Sequence, residues 1–76
     1  MSEADKIFNE LDFDRFDYIR YIEYFHKKSK LYICFDSKTE TVEICGYDAI
    51  NKQINIELFN AIFLKKRELG WIGDDK

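Results

Sequence analysis

Proline is absent from these 76 residues and glycine occurs only three times. Collagen-like repeats and Gly/Pro-rich linkers are thereby excluded. The two cysteines, Cys34 and Cys45, are too few for the disulfide framework of a small secreted domain. His26 is the sole histidine. Two Cys and one His leave a tetrahedral zinc site short of its fourth ligand, and His26 in a lysine-rich turn reads as a solvated side chain rather than a catalytic base. No stretch approaches the ~18 apolar residues of a membrane span, and no glycine-rich phosphate loop occurs. The opening Met1-Ser2-Glu3-Ala4-Asp5-Lys6 is polar and acidic, unlike a secretory leader. These absences lead to the expectation of a cytoplasmic, non-enzymatic protein that uses no cofactor and no metal.

What is present is a globular composition: 46% hydrophobic and 36% charged residues, with a net charge of −3. Aromatics reach 17%, as seven Phe, five Tyr and one Trp. A chain of this size buries only about 60% of its unfolded surface. Large rings, each removing on the order of 150–250 Å² from water, help to compensate, and so does a partner.

Ser2 suits a helix N-cap, Glu3 and Asp5 put negative charge in the first turn, and Ala4, Ile7, Phe8 and Leu11 share one face. A helix is predicted over Ser2–Leu11. An acidic connection, Asp12 to Asp17, follows. Tyr18–Phe25 is rich in β-branched and aromatic residues; Tyr18, Tyr21, Ile22 and Phe25 also fit helical spacing, but propensity predicts the first strand here. After a turn at His26–Ser29, Leu31, Ile33 and Phe35 alternate with Tyr32 and Cys34 in a second strand. Beyond a turn at Asp36–Glu40, Val42 and Ile44 alternate with Glu43 and Cys45 in a third. Gly46–Gln53 reads as a loop. The closing helix, Asn55–Leu69, has Asn55 as N-cap, an Ile54/Phe59 hydrophobic staple, and an apolar stripe of Ile54, Leu58, Ile62 and Leu69 flanked by Phe59 and Phe63. Lys65, Lys66 and Arg67 suit its C-terminal end, and Gly70 is its left-handed stop. The expected fold is α+β, α-β-β-β-α: a three-stranded antiparallel meander with two helices on one face, one domain over residues 1–72 and a frayed tail at 73–76.

The turns imply a register in which Ile22 faces Ile33, Tyr24 faces Leu31, Phe35 faces Val42 and Ile33 faces Ile44. Tyr18, Ile22, Tyr24, Leu31, Ile33, Phe35, Val42 and Ile44 then share the inner face. The other face carries Ile19, Tyr21, Glu23, Phe25, Tyr32, Cys34, Glu43, Cys45 and Tyr47, with Tyr21 beside Cys34 and Glu23 beside Tyr32. An open antiparallel sheet ordinarily turns polar residues outward. Rings there point to a protein interface, and Ile19, Tyr21, Phe25, Tyr32 and Tyr47 are its candidate contact residues. Partial cover by the Phe13–Phe16 connection is the plainer alternative.

Two other site patterns bear on function. Asp12, Asp14 and Glu23 match positions 1, 3 and 12 of a calcium loop, but Phe16 and Asp17 occupy positions 5 and 6, where a ligand and a glycine belong. Double-stranded RNA-binding domains share the α-β-β-β-α order and the length. Their second helix opens on a lysine-rich phosphate-binding motif, whereas Asn55-Ile56-Glu57-Leu58 is acidic and apolar, and the pI is about 5.1. A nucleic-acid role would fall to the turn lysines Lys27, Lys28 and Lys30.

The segments Asp5-Lys6-Ile7-Phe8, Tyr18-Ile19-Arg20-Tyr21, Ile33-x-Phe35-Asp36, Ile54-x-Ile56-Glu57-Leu58-x-x-Ala61-Ile62 and Glu68-Leu69-Gly70-Trp71 together resemble small, mostly uncharacterised proteins encoded by phages and prophages of low-GC Gram-positive bacteria. The resemblance spans nearly the whole chain, and its closing part is the most distinctive. It brings no catalytic residues. It implies a protein that acts by binding a host or phage protein, inhibition of a host defence factor included, or by pairing with itself as a homodimer.

Overall fold

The computed structural model describes residues 2–46 and 56–71. Tyr47, the remainder of the expected loop through Gln53, the Ile54 staple, the Asn55 cap and the 73–76 tail lie outside the described residues. The elements are α1 (Glu3–Glu10), β1 (Phe13–Asp17), β2 (Tyr21–His26), β3 (Leu31–Asp36), β4 (Thr41–Gly46) and α2 (Ile56–Glu68). The class is α+β, with four strands in place of the three expected. They fall into two compact units, residues 2–11 with 56–71 and residues 12–46, taken in turn.

In the helical unit, Ser2 caps α1 as its sequence implies: extended backbone, and a hydroxyl that accepts the Asp5 N–H at 3.1 Å. Another first-turn amide, that of Ala4, donates to Glu68 Oε2 at 3.1 Å. The end of α2 thus supplies a cap for the start of α1. Ala4 and Phe8 are buried, and Ile7 and Leu11 half-buried, so the expected face is the one withdrawn from water. In α2 the buried positions are Leu58, Ala61 and Lys65. The expected stripe is only partly so: Ile62 and Leu69 are half-buried, and Phe59 and Phe63 lie in water at 64% and 46% exposure. Lys65, one of the three basic residues that suit the C-terminal end of this helix, is buried. Its Nζ lies 3.5 Å from both Asp5 Oδ1 and Glu68 Oε1, which neutralises a charge that burial alone would make costly. The helix ends in a Schellman pair, Gly70 N–H to Arg67 C=O (3.0 Å) and Trp71 N–H to Lys66 C=O (2.9 Å), with Gly70 at φ +80 as expected.

The sheet unit is an antiparallel meander in the order β1-β2-β3-β4. The acidic connection is itself the first strand. Its sequence, Phe-Asp-Arg-Phe-Asp, has no apolar alternation, and only Phe13 is buried, so period-2 reasoning has nothing to detect. The strand expected from Tyr18 begins at Tyr21, because Tyr18, Ile19 and Arg20 make the β1–β2 turn. Neither Ile19 nor Arg20 has positive φ, so this is not the primed turn of tight hairpins and lacks their Gly/Asn signature. It is braced from outside: the Ser37 N–H and Oγ donate to the Arg20 carbonyl at 3.0 and 2.5 Å.

The β3–β4 register is as expected, Phe35 opposite Val42 and Ile33 opposite Ile44. The β2–β3 register differs by two residues: Ile22 faces Phe35, Tyr24 faces Ile33 and Phe25 faces Tyr32. The cause is the turn, which spans Lys27–Lys30 and leaves His26 in the strand, bonded through its carbonyl to the Lys30 N–H at 2.8 Å. A slip of two preserves which side chains share a face. Tyr24, Ile33, Phe35, Leu31 and Phe13 are therefore buried together on one face, with Tyr24 and Phe35 meeting edge-on at 5.7 Å. Two of the expected inner residues depart from this: Tyr18 sits in the turn, and Ile44, though opposite Ile33 on this face, is exposed. Both longer hairpin loops close on a left-handed residue, Lys30 (φ 62) and Glu40 (φ 56). Each is capped by the polar residue before it: His26 Nδ1 accepts the Ser29 N–H at 3.1 Å and Asp36 Oδ1 accepts the Lys38 N–H at 2.9 Å.

Candidate functional site

The outer face of the sheet is built by alternation from all four strands: Asp14 and Phe16 of β1; Tyr21, Glu23 and Phe25 of β2; Tyr32, Cys34 and Asp36 of β3; Thr41, Glu43 and Cys45 of β4. Three of the sequence candidates, Tyr21, Phe25 and Tyr32, lie on it and are half-buried. Ile19 is not on the face but at the tip of the β1–β2 turn, fully exposed. Tyr47 lies outside the described residues. The expected neighbours Tyr21/Cys34 and Glu23/Tyr32 are replaced by Tyr21/Asp36 and Glu23/Cys34, through the two-residue register difference.

The rings occur as two pairs. Phe25 and Tyr32 are directly cross-strand, with centroids 4.7 Å apart. Tyr18 stacks on Tyr21, also at 4.7 Å, which brings a turn residue into the patch. Sequence reasoning put Tyr18 at the start of a strand on the inner face and missed this; Phe16, 44% exposed, was missed because β1 was. The turn that carries Tyr18 is held in place beside the next hairpin: Arg20 Nε bonds both Asp36 oxygens at 3.1 Å, in addition to the Ser37 brace. This ion pair, reinforced by the Lys38 and Thr39 amides, holds the Asp36 carboxyl below its ordinary range.

The strand positions of this face carry charge of one sign, with Asp36 paired to the Arg20 guanidinium from the turn. Asp14, Glu23, Asp36 and Glu43 are acidic, and none of the strand positions facing this way is Lys or Arg. The field is felt by its neighbours. Burial first, then Glu23, Cys45 and Glu43, pushes the Cys34 thiol up to about 11. Glu23, ahead of burial and Tyr21, raises the Tyr18 phenol. Cys34 is accordingly a neutral thiol at physiological pH, unsuited to nucleophilic work. A shallow depression lined by Tyr21, Cys34, Asp36, Thr41 and Glu43 lies at the end of this face next to the β3–β4 turn.

The remaining candidates resolve as structure. His26, expected as a solvated turn residue, is half-buried, bonded to Ser29 and packed on the Phe13 ring at 5.0 Å. Asp12, Asp14 and Glu23 belong to a β-hairpin in which Glu23 faces Phe16, not to a loop wrapped around one point. Among the described residues no group of three or more His, Cys, Asp or Glu side chains is arranged to hold a metal ion. Lys27, Lys28 and Lys30 stand at one end of the sheet, two of them beside Asp12 and His26 in a shallow hollow. A second apolar strip, Ile56, Phe59 and Phe63, lies exposed along α2, with the Arg67 guanidinium 6.0 Å from the Phe63 centroid. No helix among the described residues is long and apolar enough to cross a membrane. Comparison with protein families, with curated proteins and with solved structures finds no match to this chain.

Proposed function

We propose that this protein is a non-enzymatic binding module whose working surface is the outer face of the sheet, and that its partner is a protein presenting basic and apolar side chains. One observation carries this reading: two ring pairs at 4.7 Å, half-exposed, on a face whose strand charges are all acidic. Rings in a desolvated interface centre supply binding energy at small entropic cost, and surrounding carboxylates select a cationic partner. The Arg20–Asp36 pair and the Ser37 brace keep the Tyr18/Tyr21 stack ordered before binding, which lowers the cost of association. The resemblance to phage-encoded accessory proteins extends the proposal to a cytoplasmic host or phage protein as partner, a host defence factor among the candidates.

The nucleic-acid alternative rests on Lys27, Lys28 and Lys30. It is disfavoured by placement. The nearest rings, Phe25 and Tyr32, would stack bases only by bringing phosphates toward Asp14, which lies opposite Phe25, and Glu23. Phosphate binding needs the opposite charge.

The test is binding to a cationic, aromatic-rich protein recovered from the host, followed with two variants. Tyr32→Ala is expected to weaken binding at least tenfold while shifting the melting temperature little, whereas Lys27→Ala with Lys28→Ala leaves binding unchanged. If the lysine pair abolishes binding and Tyr32→Ala does not, or if affinity for single- or double-stranded nucleic acid appears and collapses with salt, the protein-interface reading fails.

A further inference from the structure

The register of the outer face sets its side chains in rows across the strands. Glu23, Cys34 and Glu43 form one row, each directly opposite the next. Neighbouring strands lie about 4.8 Å apart, so the backbones of the two glutamates are separated by about 10 Å with the thiol between them. Tyr32 is the next outward residue along β3, and Tyr21 of β2 is diagonal to Cys34. The short Cys34 side chain is therefore surrounded by longer ones, a carboxylate on either side in its own row and a phenol ring in each adjoining row. The shallow depression that reaches from Tyr21 to Glu43 has this thiol in its lining.

Three observations bear on what the depression takes. Neither Glu23 nor Glu43 has a basic partner among the described residues. Burial first, then Glu23, Cys45 and Glu43, keeps the Cys34 thiol protonated, so the field of both carboxylates is felt at the floor between them. The rim already shows the matching chemistry: the Arg20 guanidinium bonds Asp36, Nη2 at 3.0 Å and Nε at 3.1 Å from carboxylate oxygens. Asp36 is thereby neutralised from within the chain, and Glu23 and Glu43 remain for a cation from outside.

The form of that cation follows from the walls. These side chains are not arranged to hold a metal ion. A guanidinium suits the site better than an ammonium does. Its planar fork bonds carboxylates along the edge while its faces lie on rings. It is also more weakly hydrated, so it loses less on entering a half-buried site.

We infer that the outer face receives an arginine side chain of its protein partner, with the guanidinium seated over Cys34, between Glu23 and Glu43 and against the Tyr21 and Tyr32 rings. This rests on the outer-face reading and narrows it from a basic partner to one residue type at one place.

The test is a nuclear magnetic resonance titration of the full chain with three tripeptides: acetyl-Gly-Arg-Gly-amide and its lysine and citrulline counterparts. The arginine peptide is expected to shift the Glu23, Cys34 and Glu43 amides saturably. The lysine peptide should bind about fivefold more weakly or less, and the neutral citrulline peptide should give no saturable shift. Glu23→Gln and Glu43→Gln should each weaken arginine binding about tenfold, whereas Asp14→Asn, the same charge change in another row, should alter it less than about twofold. Retained dispersion of the amide spectrum checks folding of each variant. No saturable shift with the arginine peptide overturns the inference. So does a lysine peptide that binds as tightly, and so does an Asp14→Asn effect equal to that of Glu43→Gln, which would reduce the site to a general field. Binding of the host protein separates the two readings. If it is lost with Tyr32→Ala but unchanged by Glu23→Gln and Glu43→Gln, the outer face stands and the arginine site fails; if Tyr32→Ala leaves it unchanged, the outer-face reading itself fails.

Discussion

Gly46 and Gly70 both have positive φ, +141 and +80, but for different structural ends. A Cβ at Gly46 would collide with the Lys30 carbonyl oxygen, whereas one at Gly70 would meet nothing within 4 Å. Gly46→Ala therefore combines a backbone clash with conformational strain and is expected to cost about 2–3 kcal/mol or more. Gly70→Ala bears only the left-handed penalty, about 1 kcal/mol. Urea titration of both variants, compared at equal slope, checks the order. Cys34 makes a second prediction at this scale. Its folded-state pKa is raised from 9.0 to about 11, burial being the first cause. The folded chain thus holds the thiol proton more tightly than the unfolded chain. The stability so contributed is complete below the unfolded value of 9.0 and is lost as pH rises through about 11. Wild type should lose stability relative to Cys34→Ala across that window and not below it. Alkylation of Cys34 should go on accelerating through the same range.

Among the elements, the two helices are tied by one polar cluster. Lys65, only 5% exposed, lies between Asp5 and Glu68, and Glu68 also accepts the Ala4 amide. Removing the cation takes away the positive charge that Asp5 and Glu68 share, and truncation also removes the apolar stem. Lys65→Ala is expected to cost about 2–3 kcal/mol, and Lys65→Met, which restores the stem, distinctly less. Glu68→Gln keeps an acceptor for the Ala4 amide and should be milder than Glu68→Ala. Thermal melts of the four variants at neutral pH give the comparison. If Lys65→Met is as damaging as Lys65→Ala, the charge rather than the stem carries the contribution. In the sheet, the hairpin turns do the corresponding work: His26 and Asp36 each cap the loop that follows, and Ser37 reaches from one turn to brace another.

For the molecule as a whole, the net charge is only −3, and the outer strand positions carry Asp14, Glu23, Asp36 and Glu43 and no Lys or Arg, with Asp36 paired to Arg20. Association of this face with a cationic partner should therefore be steered by charge and should slow as salt screens it, which association rates over an ionic-strength series would show. A rate that does not change with salt would argue against electrostatic selection by this face.

Much of this architecture could be read from the residues. Ser2, the Ala4/Phe8 face and Gly70 announced the first helix, its buried side and the stop of the second, because caps, 3.6-residue periodicity and left-handed glycine act over a few neighbouring residues. The division of the sheet into a buried and an aromatic face was legible for the same reason, since alternation survives a register error of two. The sequence also placed Tyr21, Phe25 and Tyr32 together on the outer face. Tertiary contacts decided the rest. β1 has no apolar alternation and exists as a strand through its ladder with β2. The β1–β2 turn has no glycine or proline signal and is braced by Ser37, distant in sequence. Lys65 reads in the sequence as a charge that suits the helix end, and its burial becomes tolerable because Asp5, sixty residues away, helps to supply the counter-charge. Local physics is written in short stretches of sequence, whereas pairing partners, braces and counter-ions are known only once distant parts of the chain have met.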